Sequence, residues 1–162
     1  MISNSGDRHI VVLNFVERRR GRSDRYSWIP FESSGSFNPD WWDRPPYGDD
    51  DPWYVQVLRN GDEVGRVKFD DRKLSLRGYG VSRQVAANAL EIGFFEVSDT
   101  CRREGIGTAI VRGLEAQYPD RTLVAFSMEA DDFWGSLGWQ RHDHLTEPRN
   151  RTLFVQRLTR PL

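Results

Sequence analysis

The segment around Gly105 constrains the fold more than any other. The apolar run ALEIGFFEV at residues 89–97 reads as a buried strand. Beyond it Ile106, Ala109, Ile110, Gly113 and Leu114 recur at the spacing of one helical face, and Pro119 follows the last of them. The junction, CRREGIG, holds two arginines and two glycines. A second apolar strand, TLVAFS at residues 122–127, comes next, of the kind found inside a sheet.

The flanking segments extend this unit. HIVVLNFVE at residues 9–17 predicts a first strand. Residues 53–70 predict a β-hairpin, because Asn60-Gly61 supplies the positive φ angles of a two-residue turn. A weaker segment, residues 73–88, leads into the buried strand. Residues 128–138 predict a short helix with acids in its first turns and a glycine stop. WQRHDH and RTLFVQRL predict a final antiparallel pair. The order strands, strand-helix, strand-helix, strands predicts an α/β fold, a mixed sheet with helices packed on it. Residues 18–52 carry no apolar repeat of period 3.6 and are expected to form a long ordered loop with short turns.

The bulk numbers fit one domain over residues 1–162, with 38% apolar residues. No window approaches the roughly 20 apolar residues of a membrane helix. The first residues lack the pattern of a signal peptide. The single cysteine, Cys101, leaves no internal disulfide and fits a reducing cytoplasm. A net charge of −1 gives no global case for nucleic acid.

Glycines at a helix N-terminus, with arginines beside them, suit an anion. A Walker loop is absent, and a dinucleotide loop fails because position 110 is Ile and the strand ends well before Gly105. Arg102-Arg103-Glu104-Gly105-Ile106-Gly107 instead matches [Gln/Arg]-x-x-Gly-x-[Gly/Ala], and SMEADDFWGSLGW places Ala130, Phe133, Gly138 and Trp139 as in a second motif. On these two motifs the chain resembles the GNAT superfamily, the acetyl-coenzyme A-dependent N-acetyltransferases. The resemblance is strong from residue 89 to about 142. It implies a GNAT-like, largely antiparallel mixed sheet with helices on both faces. It also implies acetyl-CoA as acyl donor and no metal. Pantetheine would lie between the strands ending at Val97 and starting at Thr122, which part there. Phe95 N–H would face the thioester carbonyl, Val97 would bond the pantetheine amide, and Arg103, Glu104, Gly105, Ile106, Gly107 and Thr108 would hold the pyrophosphate with Arg102. Phe133 and Trp134 fall within the second motif, Trp134 where many members have a tyrosine acid. Ser127 stands where the family has an asparagine.

Direct transfer to an amine needs a base for the amine proton. Glu91 has the spacing from Arg102 of the histone-type members and is the first candidate; Glu96 is the rival, expected on the opposite face unless a bulge intervenes. Tyr79, Tyr54, Ser127 or water would replace the missing acid. Cys101 beside Arg102 invites a nucleophile reading but reads better as a loop residue. His142-Asp143-His144 reads as a solvated strand end, not a metal site.

The loop replaces the two helices that usually wall the acceptor site. In it Asp49, Asp50 and Asp51 neighbour Trp41 and Trp42, which suits a cationic primary amine such as a polyamine, an aminoglycoside or a lysine side chain. The expectation is therefore a cytoplasmic N-acetyltransferase, monomer or homodimer, acting on a small-molecule or peptide amine. The alternatives are a non-catalytic acyl-CoA-binding or regulatory protein, and a toxin acetylating aminoacyl-tRNA through the basic run at residues 17–25, which otherwise reads as a solvated segment.

Overall fold

The computed structural model describes residues 11–72 and 75–158. One seven-stranded sheet organises them: β1 (Asn14–Arg19), β2 (Trp53–Arg59), β3 (Asp62–Asp70), β4 (Ala89–Val97), β5 (Thr122–Phe126), β6 (Gln140–His142) and β7 (Leu153–Val155). The spatial order is β1-β2-β3-β4-β5-β7-β6, and every pair is antiparallel except β4 with β5. The hairpin turns where the sequence places it, with Asn60 at φ 51° and Gly61 at φ 83°. The fold class expected from the sequence, a mixed and largely antiparallel α/β sheet, is the one observed.

Two boundaries differ. The first strand starts at Asn14 and runs on to Arg19, so the basic run begins inside the sheet; His9 and Ile10 lie outside the described residues. Arg18 and Arg19 pair with Tyr54 and Trp53, which extends the ladder past the apolar residues. The last helix, α4 (Asp131–Ser136), begins later than residue 128, because Glu129 sits at φ 54° and breaks the helical path.

Helix α3 (Ile106–Gln117) packs on one sheet face with Ile106, Ile110, Val111 and Leu114 buried. Its close approach is set at two glycines. A Cβ at Gly65 would stand 2.5 Å from Ile110 Cδ1, and one at Gly113 would collide with the Phe15 ring. Val55, Val57, Val67, Phe69, Leu90 and Ile92 complete this core from the sheet. The opposite face carries two separate clusters. Phe31, Phe37, Trp42 and Tyr54 form an aromatic plug, which makes residues 20–52 an ordered cover as expected, with one added turn of helix, α1 (Pro39–Trp42). Leu76, Tyr79, Val124, Leu153 and Val155 form the other, under α2 (Arg83–Asn88). Helices thus lie on both faces, and β4 crosses the seam between the two clusters.

Candidate active site

The seam is made by a bulge. On β3, Lys68 pairs with Phe94 but the adjacent Phe69 pairs with Ile92, so Gly93 is an extra residue in β4. The inserted residue flips the alternation that follows it. Leu90 and Ile92 face α3, and so do Phe95 and Val97. Glu91, Phe94 and Glu96 therefore share the other face. The expectation that Glu91 and Glu96 point apart is corrected, by the bulge that was its stated exception.

The two carboxylates have different surroundings. Glu96 Oε1 accepts from Asn38 N–H and from Trp42 Nε1, each at 2.8 Å, and Arg102 lies 3.4 Å from Oε2. That carboxylate ties α1 and the arginine loop to the sheet. Glu91 is 8% exposed, and its buried Oε1 has no hydrogen-bond partner among the described residues. Arg72, on an exposed side chain, comes to 3.8 Å of it. Burial first, and the charge of Asp70 second, push the Glu91 carboxyl above the ordinary carboxylate range, while Arg72, Arg151 and Lys68 oppose the shift. Such a group is a stronger base than an ordinary carboxylate.

At the same residue the sheet opens. Glu91 pairs with Val124, and beyond it β4 and β5 share no further register positions; β5 goes on with β7. The gap is an apolar cleft of 110 Å³, lined by Gly93, Phe94, Phe95, Phe126, Phe133 and Trp134 together with Trp41. From Ile92 onward β4 offers a free edge to an extended group that lies beside it like an added strand. The start of α3 borders the cleft at its Phe133 wall. There Gly105 is the N-cap at φ 76°, a conformation that suits glycine, and Arg103 stands at φ 68°. The first amides of α3, those of Ile106, Gly107 and Thr108, have no intrahelical acceptor, and Arg102, Arg103 and Glu104 around them are exposed. A Cβ at Gly107 would come within 3.3 Å of Phe133 Cε2, so this glycine keeps the helix start against the cleft wall. Unpaired amides, positive side chains and a strand edge leading to them fit a phosphate-bearing, extended ligand. Arg102 Nε lies 3.4 Å from Val97 O, the group expected to serve pantetheine, so the arginine side chain covers that edge position.

The remaining candidates are dispersed. Ser127 Oγ accepts from Ala130 N–H and holds the turn before α4. Tyr79 OH donates to Arg151 O, and burial raises its hydroxyl, as burial with Asp49 and Asp70 raises that of Tyr54. Neither tyrosine is tuned as an acid. Trp134 stacks on Trp139 at 4.8 Å inside the α3 core. Cys101 is buried in the same core, 3.7 Å from Arg59. His142 Nδ1 meets Tyr79 O and His144 lies against the Tyr79 ring; among the described residues no cluster of three metal-ligating side chains is found.

The acceptor group splits in two. Asp49, Asp50 and Asp51 line a cleft of 590 Å³ with Arg19, Lys68, Asp70 and Asp71. Trp42 is fully buried with its N–H given to Glu96, and Trp41 packs on Phe94 at 5.2 Å beside the other cleft. The tryptophans therefore build the plug, because their rings fill the face that β4 and β2 present. Asp70 is not among the residues the sequence singles out, since only the cross-strand register brings it opposite Glu91, with Lys68 3.6 Å from it.

No family model matches the chain, and no curated protein matches it. Solved structures do. The Bacillus subtilis N-acetyltransferase YlbP, in complex with coenzyme A, is 16% identical over 64% of this chain and 66% of its own, with a TM-score of 0.48. N-acetylglutamate synthase from Neisseria gonorrhoeae, complexed with coenzyme A and N-acetyl-glutamate, is 16% identical over 66% of this chain and 26% of its own, with a TM-score of 0.47. An acetyltransferase from Thermus thermophilus is 15% identical over 68% of this chain and 66% of its own, with a TM-score of 0.48. The chain thus spans less than two thirds of the synthase and about two thirds of the other two. The chain has its own fold markers: the strand order, the parallel pair that parts at Glu91, and the bulge, loop and helix in register. These are the features the two motifs imply. The sheet is the mixed, largely antiparallel one that the resemblance of the two motifs implies. No helix among the described residues is long and apolar enough to cross a membrane.

Proposed function

We propose that this chain is an N-acyltransferase that moves an acetyl group from acetyl-coenzyme A to a cationic primary amine by direct transfer. The observation that carries the reading is Glu91, a buried carboxylate with an unbonded oxygen, placed at the residue where β4 leaves β5. The free amides of Ile106, Gly107 and Thr108, with Arg102 and Arg103, would hold the pyrophosphate. The edge of β4 would hold pantetheine, with Phe95 N–H toward the thioester carbonyl. Arg102 would swing from Val97 O to a phosphate, a small motion for an exposed side chain. An acetyl thioester supplies an activated carbonyl carbon for the amine to attack.

Glu91 takes one proton from the ammonium group. The freed nitrogen lone pair forms the C–N bond, the C–S bond breaks, and the second nitrogen proton goes to the departing thiolate. No tyrosine acid is required, which agrees with the bonded or buried state of Tyr79, Tyr54 and Trp134. The amine would enter through the cleft lined by Asp49, Asp50 and Asp51.

The test is release of free CoA from acetyl-CoA against a panel of polyamines, aminoglycosides and lysyl peptides, run on the wild-type chain and on Glu91→Gln. Amine-dependent release that Glu91→Gln abolishes supports the reading. Calorimetric CoA binding with no turnover on any amine overturns it in favour of a binding protein.

A further inference from the structure

Glu91 is not alone where the strands part. Asp70, the last residue of β3, is its direct cross-strand partner. Asp70 also leans over the bulge: a Cβ at Gly93 would collide with its Oδ2. The extra residue of β4 is a glycine in the space this carboxylate needs. Asp70 lines the 590 Å³ cleft, while Glu91 stands buried behind it on the next strand.

Two carboxylates opposite each other on antiparallel strands repel unless cations neutralise them. Here the neutralisation is incomplete. On β3, Lys68 Nζ is 3.6 Å from Asp70 Oδ1 but also 3.9 Å from Asp49 Oδ2, so one ammonium serves two acids. After β3, Arg72 reaches Glu91 only at 3.8 Å and from an exposed side chain. Arg151, in the loop before β7, acts on Glu91 through its charge, from beyond ion-pair distance. On β5 the partner of Glu91 is apolar Val124. Among the described residues no cation pairs closely with both Asp70 and Glu91, since Lys68 is shared with Asp49 and Arg72 stands 3.8 Å from Glu91 on an exposed side chain. An incoming ammonium group is therefore favoured between them.

We propose that Asp70 is the docking carboxylate for the acceptor's ammonium group and the positioning partner of Glu91, making Glu91 the destination of the amine proton. The inference rests on the acyl-transfer reading above. The ammonium group enters the cleft and pairs with Asp70 at the bulge. Its proton passes to Glu91, because Asp70 disfavours a second negative charge one strand away. Neutralising the amine frees its lone pair beside the gap where the thioester would lie. After the C–N bond forms and the thiol leaves, Glu91 returns its proton to water through the cleft. The elevated proton affinity of Glu91, in part an effect of Asp70, agrees with this division of labour.

Asp70→Asn keeps the shape and removes the charge. With less repulsion Glu91 loses its proton at lower pH, so the acid limb of kcat/KM for the best amine moves down by about one pH unit. The weaker base also lowers kcat, and the acceptor KM rises while the CoA Kd stays. A ¹³C-carboxyl NMR titration of Glu91, assigned with Glu91→Gln, follows the same midpoint without turnover. A folded Asp70→Asn protein whose Glu91 midpoint is unmoved overturns the proposal, as does an acid limb that stays in place. Asp70→Ser, smaller beside Gly93, serves if the asparagine does not fold. If the wild-type chain turns over no amine, the acyl-transfer reading fails, and the titration still decides whether Asp70 governs Glu91.

Discussion

Glu91 and Glu96 show how one residue type takes two fates within one strand. Glu96 is spent on two N–H donors and an arginine, whereas Glu91 keeps a buried oxygen unbonded. A buried carboxylate with an oxygen left unbonded costs folding free energy, and the cost depends on pH. Because the folded state raises the Glu91 pKa, the folded chain binds the proton more tightly than the unfolded one. Stability is then full below the unfolded pKa and falls as pH rises toward the folded value. Glu91→Gln removes that loss. Its melting temperature should exceed that of wild type at neutral pH, and the gap should close as pH falls toward about 4, the unfolded value of a glutamate; thermal melts across pH check this. In the same protein kcat/KM should drop roughly 100- to 10,000-fold, the range for removing a general base. A variant that is both less stable and fully active would end the case for Glu91.

At the scale of elements, the glycine loop and the aromatic plug are joined through β4. Glu96→Ala leaves the Trp42 indole N–H and the Asn38 amide without their acceptor and frees Arg102. The expected cost is about 3 kcal/mol, read by urea unfolding. Gly105→Ala acts on the other side of the junction. A Cβ at φ 76° costs about 1–2 kcal/mol and disturbs the first amides of α3, so CoA should bind several-fold more weakly by calorimetry. These elements also mark what the sequence made legible. Helix α3, the Asn60-Gly61 hairpin and the strands themselves follow from local periodicity and turn chemistry, which single segments carry. The bulge at Gly93 does not, because two-to-one pairing exists only once β3 is laid beside β4. The same limit hid Asp70, which sequence places at a hairpin end and the register places opposite Glu91. Nor is the packing of Trp42 legible locally: its acidic neighbours suggest a cation site, while its ring lies against Phe31 and Tyr54.

At the scale of the whole molecule the net charge is only −1, yet the charges are unevenly spread. Five aspartates and three cations line the 590 Å³ cleft, and one of them, Asp70, is the cross-strand partner of Glu91. Its outer wall is held by exposed ion pairs, Asp51 with Arg19 and Asp50 with Arg25, each at 3.4 Å. Arg20, buried beneath, donates to Asp50 O at 2.8 Å and anchors the loop through its backbone. Deleting residues 48–51 would strand that guanidinium and confuse folding with binding. Replacing Asp49, Asp50 and Asp51 together by Asn keeps the anchor and removes the charge. Exposed charges contribute about 0.5 kcal/mol each toward a cation, so the acceptor KM should rise about tenfold for the triple variant. The loss should shrink in high salt, where the wild-type cleft is already screened. The CoA Kd should not change, because the nucleotide end of the donor would lie by α3, on the other side of the sheet. An acceptor KM equal to that of wild type at low salt would remove these three aspartates from acceptor binding and leave recognition to the inner pair, Asp70 and Glu91.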